Sequence, residues 1–332
     1  GGEIHSLYSV IISKKNLFSA WREFQKGKLK KKDVLEEYDN VEEMLLCLHN
    51  DLINKTYKHS EYKAFYISDP KKRHIHKAKV RDRIFHHAIH RVLMPIFDKQ
   101  FIYDSYSSRK DKGMHKAIDR FRVFGWKLSQ NNTKTVWVLK CDVKKFFDSV
   151  DHKILLSLLA RKTDNETLIL LENIIASFSK FTNPKLLAFG KGIPLGNLTS
   201  QLFSNIYLNE LDQYVKRKLQ VKYYIRYADD FVVLSQDNNE LKKILELIKI
   251  FLLEKLKLEL HSDKVYIKKL HQGVDFLGWV HFPYHRVLRT ATKKRMFRNL
   301  KNNKYKEESV NSYLGMLKWG NSYRLQKNIK QK

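Results

Sequence analysis

The 332-residue chain is 43% hydrophobic and 12% aromatic, long enough for a large buried core and two or three subdomains and too apolar to be disordered. Its 64 Lys+Arg against 35 Asp+Glu leave a formal charge of +29, spread from Lys14 to Lys332, a field that attracts polyanions and makes nucleic acid the expected partner. Two cysteines, Cys47 and Cys141, exclude a disulfide scaffold and a cysteine zinc site. With no signal peptide, no apolar run of spanning length and no basic amphipathic helix with an exposed Trp/Leu face, the reading is a cytosolic protein without a membrane partner.

In chain order, helical periodicity covers 41–57, a basic segment follows at 69–83, and a second helix is expected over 84–101. His86 and His90 are spaced i, i+4 on it. That spacing can bind zinc, but no third ligand is evident, so packing is the reading. The β-branched and aromatic run 136–143 predicts a strand carrying Asp142 near its end. An uncharged loop, GIPLGNLTSQ at 192–201, then leads into a helix. VKYYIRYADDFVVLS predicts a hairpin turning at Ala228-Asp229-Asp230. Leu241, Ile244, Leu245, Ile248 and Leu252 mark one face of the next helix. LKLEL at 256–260 alternates like a strand, and VDFLGWVHF at 274–282 reads as another. The C-terminal segment is helical, basic and aromatic. Strands mixed with helices, without regular alternation, predict an α+β fold with helices on one sheet face.

Asp142 ends an apolar strand, and Asp229 and Asp230 sit at the turn of an apolar hairpin. A sheet that sets these elements side by side gathers three carboxylates, which repel unless a cation lies among them. Hard oxygen ligands select Mg²⁺. Two such ions serve in-line phosphoryl transfer, one at the attacking 3′-oxygen and one at the triphosphate and leaving group.

YADD between apolar strands resembles the catalytic hairpin of reverse transcriptases, and CDVKKFFDSVDH resembles their first carboxylate motif. PKKRHIHKAKVRDRIFHHAI and SYSSRKDKGMHKAI resemble the fingers segments, and LHSDKVYIKKLHQGVDFLGW the motifs that close the palm, all in the family's order. The resemblance implies a right-hand polymerase fold. Asp142 and Asp229 would be metal-ligating acids, Asp230 the adjoining catalytic acid, and the Val143 carbonyl would complete a site for two Mg²⁺ ions, with Mn²⁺ as a substitute. Phe147 falls where a bulky ring lies under the sugar and clashes with a 2′-OH, implying dNTP substrates, whereas Phe146 reads as core. Arg73 matches the fingers arginine that reaches the triphosphate, with Lys71 a weaker companion. Lys264 matches a lysine near the nucleotide that can protonate pyrophosphate. The resemblance also assigns Ser200, Arg81, Arg109 and Tyr227 to template or primer binding.

In reverse transcriptases generally the uncharged loop reads QGxxxSP and faces the nucleotide, small residues letting backbone N–H groups approach closely. Here Gly196 and Ser200 fit, but Leu195 replaces the usual Gln and Gln201 the usual Pro. That pair of departures, with LFSNIYLNELDQYVK and NSYLGMLKWGNSYRL, resembles the reverse transcriptases of diversity-generating retroelements. These copy a template-repeat RNA into cDNA with errors at adenines, for retrohoming into a variable region. A small basic oligomeric accessory protein would be a partner, and the host setting cytoplasmic, bacterial, archaeal or phage-encoded. Leu cannot make the hydrogen bond that Gln offers a nucleotide, so Leu195 is expected to loosen selection.

The implied plan is a mostly helical extension over 1–65, fingers over 66–135, a palm over 136–280 with the nucleotide-facing loop at 185–205, and a helical thumb over 281–332. No RNase H, endonuclease or maturase region is expected. Group II intron-type or retron-type enzymes are the rivals within the family; both are expected to carry the usual loop, and the former further C-terminal regions. A catalytically silent RNA-binding protein of polymerase descent is the rival from another class, and the intact aspartates count against it.

Overall fold

A computed structural model describes residues 6–68, 73–182 and 190–331. The chain divides into two compact units that alternate along the sequence. One comprises Gly1–Ile102, Lys144–Asp212 and Leu252–Leu258; the other comprises Tyr103–Val143, Gln213–Phe251 and Glu259–Lys332.

The first unit opens with helices α1 (Leu7–Ile12), α2 (Lys14–Phe24), α3 (Lys32–Tyr38) and α4 (Val41–Ile53). The hydroxyls of Ser6 and Ser13 accept from the N–H groups of Ser9 and Asn16, capping α1 and α2. The helix expected to reach 57 stops at Ile53, and Lys55 turns the chain at φ 57°. The antiparallel hairpin β1 (Lys63–Ile67) and β2 (Arg73–Lys77) precedes α5 (Val80–Asp98). Helix α5 starts before the expected position 84, because Val80 already lies on its buried face. Asn16 Nδ2 of α2 donates to Ala88 O of α5 at 3.0 Å, and Phe24 meets His87 edge-on at 5.5 Å.

Helix α6 (Met114–Leu128) and strand β3 (Trp137–Asp142) belong to the second unit. Back in the first unit come α7 (Phe146–Ser149), α8 (His152–Ala160), α9 (Asn165–Thr182) and α10 (Leu198–Gln213). Helix α10 is buried on nearly all sides, which explains its many small and amide side chains. After a π-helical turn at Tyr214–Lys218 follow β4 (Tyr224–Tyr227), β5 (Asp230–Ser235) and α11 (Asn238–Leu256). Strands β6 (Tyr266–Lys269), β7 (Val274–Phe276), β8 (Trp279–His281) and β9 (Arg286–Leu288) precede helices α12 (Thr290–Asn302), α13 (Glu307–Leu317) and α14 (Tyr323–Lys330).

The second unit is built on an antiparallel sheet of order β4-β5-β3-β6 and a three-stranded sheet of order β7-β8-β9. Ala117, Phe121 and Phe124 of α6 pack against Val138, Ile225, Val232 and Leu234 of the main sheet. Trp279 and Leu288 of the small sheet share a second core with Met296, Leu300, Leu317 and Ile329 of the last helices. The architecture is therefore α+β, as the mixed pattern implied.

Three sequence expectations change. LKLEL is no strand: Leu256 ends α11, Lys257 takes φ 52°, and the stretch keeps one isolated bridge, from Leu260 to Val143. VDFLGWVHF is two strands, β7 and β8, reversing at Leu277-Gly278, where φ is 53° and 84°. The 221–235 hairpin turns at Ala228-Asp229, with Asp230 already in β5 opposite Tyr227. Among the described residues no helix is long and apolar enough to cross a membrane.

Candidate active site

The β3–β5 register sets Asp142 directly opposite Asp230. Side chains of such a pair project to the same face with Cβ atoms about 5 Å apart. Asp229 occupies the β4–β5 turn, and its carbonyl accepts from Val143 N at 3.1 Å. Asp142 O in turn accepts from His261 N at 2.8 Å. The turn itself is held from beneath by Arg226, wholly buried, whose guanidinium donates to Ala228 O at 3.0 Å and to Ser105 Oγ at 3.1 Å. The structure thus brings Asp142, Val143, Asp229 and Asp230 to one end of the main sheet.

Crowding shows in their protonation. Burial, then the carboxylates of Asp142 and Asp230, push the Asp229 carboxyl up to about 6. Burial also raises Asp230, against the opposing pull of Lys140. Two ammonium groups compensate the cluster: Lys264 Nζ lies 2.6 Å from Asp142 Oδ1, and Lys140 pairs with Asp230. In this arrangement no three His, Cys, Asp or Glu side chains among the described residues stand close enough to hold a metal ion. The donor set itself is all oxygen, anionic and under mutual repulsion, which suits a hard divalent cation better than any softer ion. The ammonium groups supply positive charge where such a cation would.

Other residues singled out in the sequence gather in the first unit. Loop 190–197 is tied to the segment carrying Phe147: Ile193 N donates to Phe147 O and Gly192 N to Val150 O, both at 2.8 Å. It is tied equally to β2, which begins with the exposed Arg73. His76 N donates to Leu195 O at 3.4 Å, and Asn197 Nδ2 donates to His76 O at 3.2 Å. Gly196 takes φ +108° with its Cα against Ile75, where a Cβ would meet Cγ2 at 3.2 Å. Leu195 is half-buried, Gly196 and Gln201 exposed, and Phe147 half-buried edge-on to the buried Phe146. Phe147, Leu195, Gly196 and the strand of Arg73 are thus one connected assembly.

The remaining candidates are dispersed. Arg81 is engaged by Asp51 Oδ2 at 3.0 Å and Lys58 O at 3.1 Å. Arg109 donates to Ser105 O at 2.8 Å, and Tyr227 lies half-buried opposite Asp230. Ser200 is 1% exposed, so in this conformation it offers no hydroxyl to a template or primer. Lys71 lies outside the described residues. Of the i, i+4 pair, His86 Nε2 meets His59 Nε2 at 3.1 Å. Sequence reasoning passed over Lys140 and Arg226. A lone cation within an apolar strand, VWVLKCD or YYIRY, was the signal available for each.

An antiparallel sheet that raises paired acids on a central strand and an adjoining hairpin, with helix α6 packed against it, defines a right-hand polymerase. Residues 58–281 match the reverse transcriptase (RNA-dependent DNA polymerase) family, and the chain belongs to it. It is 29% identical over 285 residues to protein YkfC of Escherichia coli K12, covering 75% of this chain and 72% of that one. It is 24% identical over 345 residues to the group II intron-encoded protein LtrA of Lactococcus lactis, covering 83% of this chain but only 54% of LtrA. Among solved structures, apo telomerase from Candida tropicalis, truncated from its C-terminal domain, aligns with a TM-score of 0.50 at 14% identity. That alignment covers 72% of this chain and 59% of the telomerase, a likeness of fold alone.

Proposed function

We propose that the chain is the RNA-directed DNA polymerase of a diversity-generating retroelement, copying a template-repeat RNA into cDNA with errors at adenines. The observation that carries the polymerase reading is the register of Asp142 against Asp230 beside the Asp229 turn. Asp142, Asp229, Asp230 and the Val143 carbonyl would hold two Mg²⁺ ions. Bound there, the ions would supply charge stabilisation for in-line displacement at the nucleotide's α-phosphate. The chain's own groups do the rest. Arg73 would bind triphosphate oxygens, and Phe147 would exclude a 2′-OH from beneath the sugar. Lys264 would hold a proton at Nζ for the departing pyrophosphate. The fingers, palm and thumb would run over 66–135, 136–280 and 281–332.

Leu195 supports the narrower reading. Its carbonyl is fixed to β2 by His76 N, so the backbone position is held while the side chain offers a nucleotide no hydrogen bond. Loss of one such bond lowers discrimination by about 1–3 kcal/mol. A small basic accessory protein would be the partner. The likeness to LtrA favours a second reading, an intron-type enzyme.

Extension of a DNA primer on an RNA template with Mg²⁺ and dNTPs tests both levels. Wild-type protein should extend, and Asp142→Ala should fall to background; equal activity in the two would end the polymerase assignment of these acids. Leu195→Gln should lower misincorporation opposite template adenine roughly fivefold or more. A wild-type error rate no higher at adenine than elsewhere would favour the intron-type reading.

A further inference from the structure

Successive turns of an antiparallel meander fall at opposite ends, so the β8–β9 turn (282–285) lies at the end of the small sheet opposite the Leu277-Gly278 turn. At that end a cavity of about 270 Å³ opens between the turn, α6 and the 318–321 segment joining α13 to α14. Its cationic lining is Arg122, Lys318 and Arg286, and no Asp or Glu is among its described lining residues. Arg122 and Lys318 are exposed, whereas Arg286 is only 9% exposed. Arg286 Nη2 donates to Asp119 Oδ1 at 2.7 Å and Nε to Trp319 O, but Nη1 is buried without a partner.

Aromatic rings form the other wall. Phe282 and His285 stack with centroids 4.8 Å apart at 11°, and Tyr284 between them is 79% exposed. Two glycines hold the walls in place. A Cβ on Gly273, at φ +84°, would lie 2.9 Å from the Phe282 ring, and one on Gly320 would overlap Trp279. Cations on one side and free ring faces on the other match a phosphate with its base, the pairing that binds single strands. A duplex keeps its base faces stacked inside and cannot use the rings.

We propose that this cavity is a subsite for one nucleotide of a single strand. Its phosphate lies toward the exposed Arg122 and Lys318, and its base lies against Tyr284 and His285. The proposal rests on the family's handling of nucleic acid and is independent of the carboxylates. A second, weak grip on an unpaired strand would keep a template or displaced product attached to the enzyme outside the site of synthesis.

The test uses the full chain with a fluorescent single-stranded RNA of about 10 nucleotides, in the presence of saturating unlabelled RNA–DNA duplex. Anisotropy is read for wild type, the double variant Arg122→Ala/Lys318→Ala, and Tyr284→Ala. A control double variant, Lys242→Ala/Lys243→Ala, removes two exposed cations from α11. The cavity double variant should bind about tenfold more weakly, with a log–log salt slope shallower by about 0.7, the contribution of one single-strand phosphate contact. Tyr284→Ala should weaken binding about fivefold at unchanged slope. All should extend an annealed primer like wild type, which separates failure here from failure of the polymerase reading. Equal losses in the control and cavity variants, or no loss in Tyr284→Ala, would overturn the proposal. So would displacement of the strand by AMP at comparable concentration, which would assign the cavity to a free nucleotide.

Discussion

Two residues before Asp142 on β3, Lys140 projects from the same face and reaches diagonally to Asp230. Its side chain is 9% exposed and that of Asp230 28%, so solvent screens the pair little. Removing one partner of a buried pair leaves the other charge uncompensated, at a cost of about 3 kcal/mol. Lys140→Met should therefore lower stability by about that amount in urea melts. Added Mg²⁺ should recover more of the loss in the variant than it adds to wild type, because a cation among the acids replaces the missing ammonium. Equal Mg²⁺ effects on the two melts would argue that the acids do not share a cation. The three acids were legible in the sequence because carboxylates at the ends of apolar strands have few structural uses. Lys140 was not, since its meaning depends on a strand register, and register comes from the pairing of segments about 90 residues apart.

At the scale of elements, caps and turns decide where the sequence pattern stops being obeyed. LKLEL alternates like a strand, yet it is consumed in closing α11 and fastening α8. Asp151 caps α8 by accepting from Ile154 N at 3.1 Å, Lys257 Nζ lies 2.8 Å from its carboxylate, and Asp151 N donates to Tyr207 Oη at 3.3 Å. Burial alone would raise the Asp151 carboxyl, but the hydrogen bonds from Lys257 and the Ile154 N–H outweigh it and hold the group below its usual value. A carboxylate depressed on folding stabilises the fold above its unfolded pKa near ~3.9, and that contribution disappears as pH falls through the lower folded value. Asp151→Ala should cost about 1 kcal/mol at neutral pH, and Asp151→Asn less, since Asn also caps. The difference between wild type and Asp151→Asn should shrink as pH falls below the unfolded value near ~3.9; melts across that range check it. Helices with one apolar face were readable because periodicity alone reports them. α10 was harder, being buried on nearly all sides, and the VDFLGWVHF reversal was missed because a strand and a tight hairpin share the same apolar letters.

On the scale of the molecule, histidines couple stability to pH. His59 Nδ1 lies 2.6 Å from Ser60 O and so carries a proton there, which leaves its Nε2 to accept from His86 Nε2. Both rings are thereby neutral, and burial lowers both pKa values, His86 well below the usual range. Burial likewise holds His76 and His87 down to about 4 in the first unit, and His281 down to about 4 in the second. A group depressed on folding takes its proton first in the unfolded chain, so between about pH 6.5 and 4 the unfolded state binds more protons and stability rises with pH. Acidification from about pH 7.5 to 5 should lower the melting temperature by about 5 °C or more, at 2–4 °C per kcal/mol. Self-repulsion of a chain carrying +29 would act in the same direction. Salt separates the two, because ions screen repulsion among surface charges but not the desolvation of a buried imidazole. The drop should therefore persist at high salt, and His59→Gln/His86→Gln should lessen it. A drop abolished by salt would assign the acid sensitivity to net charge, and a drop unchanged in that variant would leave His59 and His86 without a part in it.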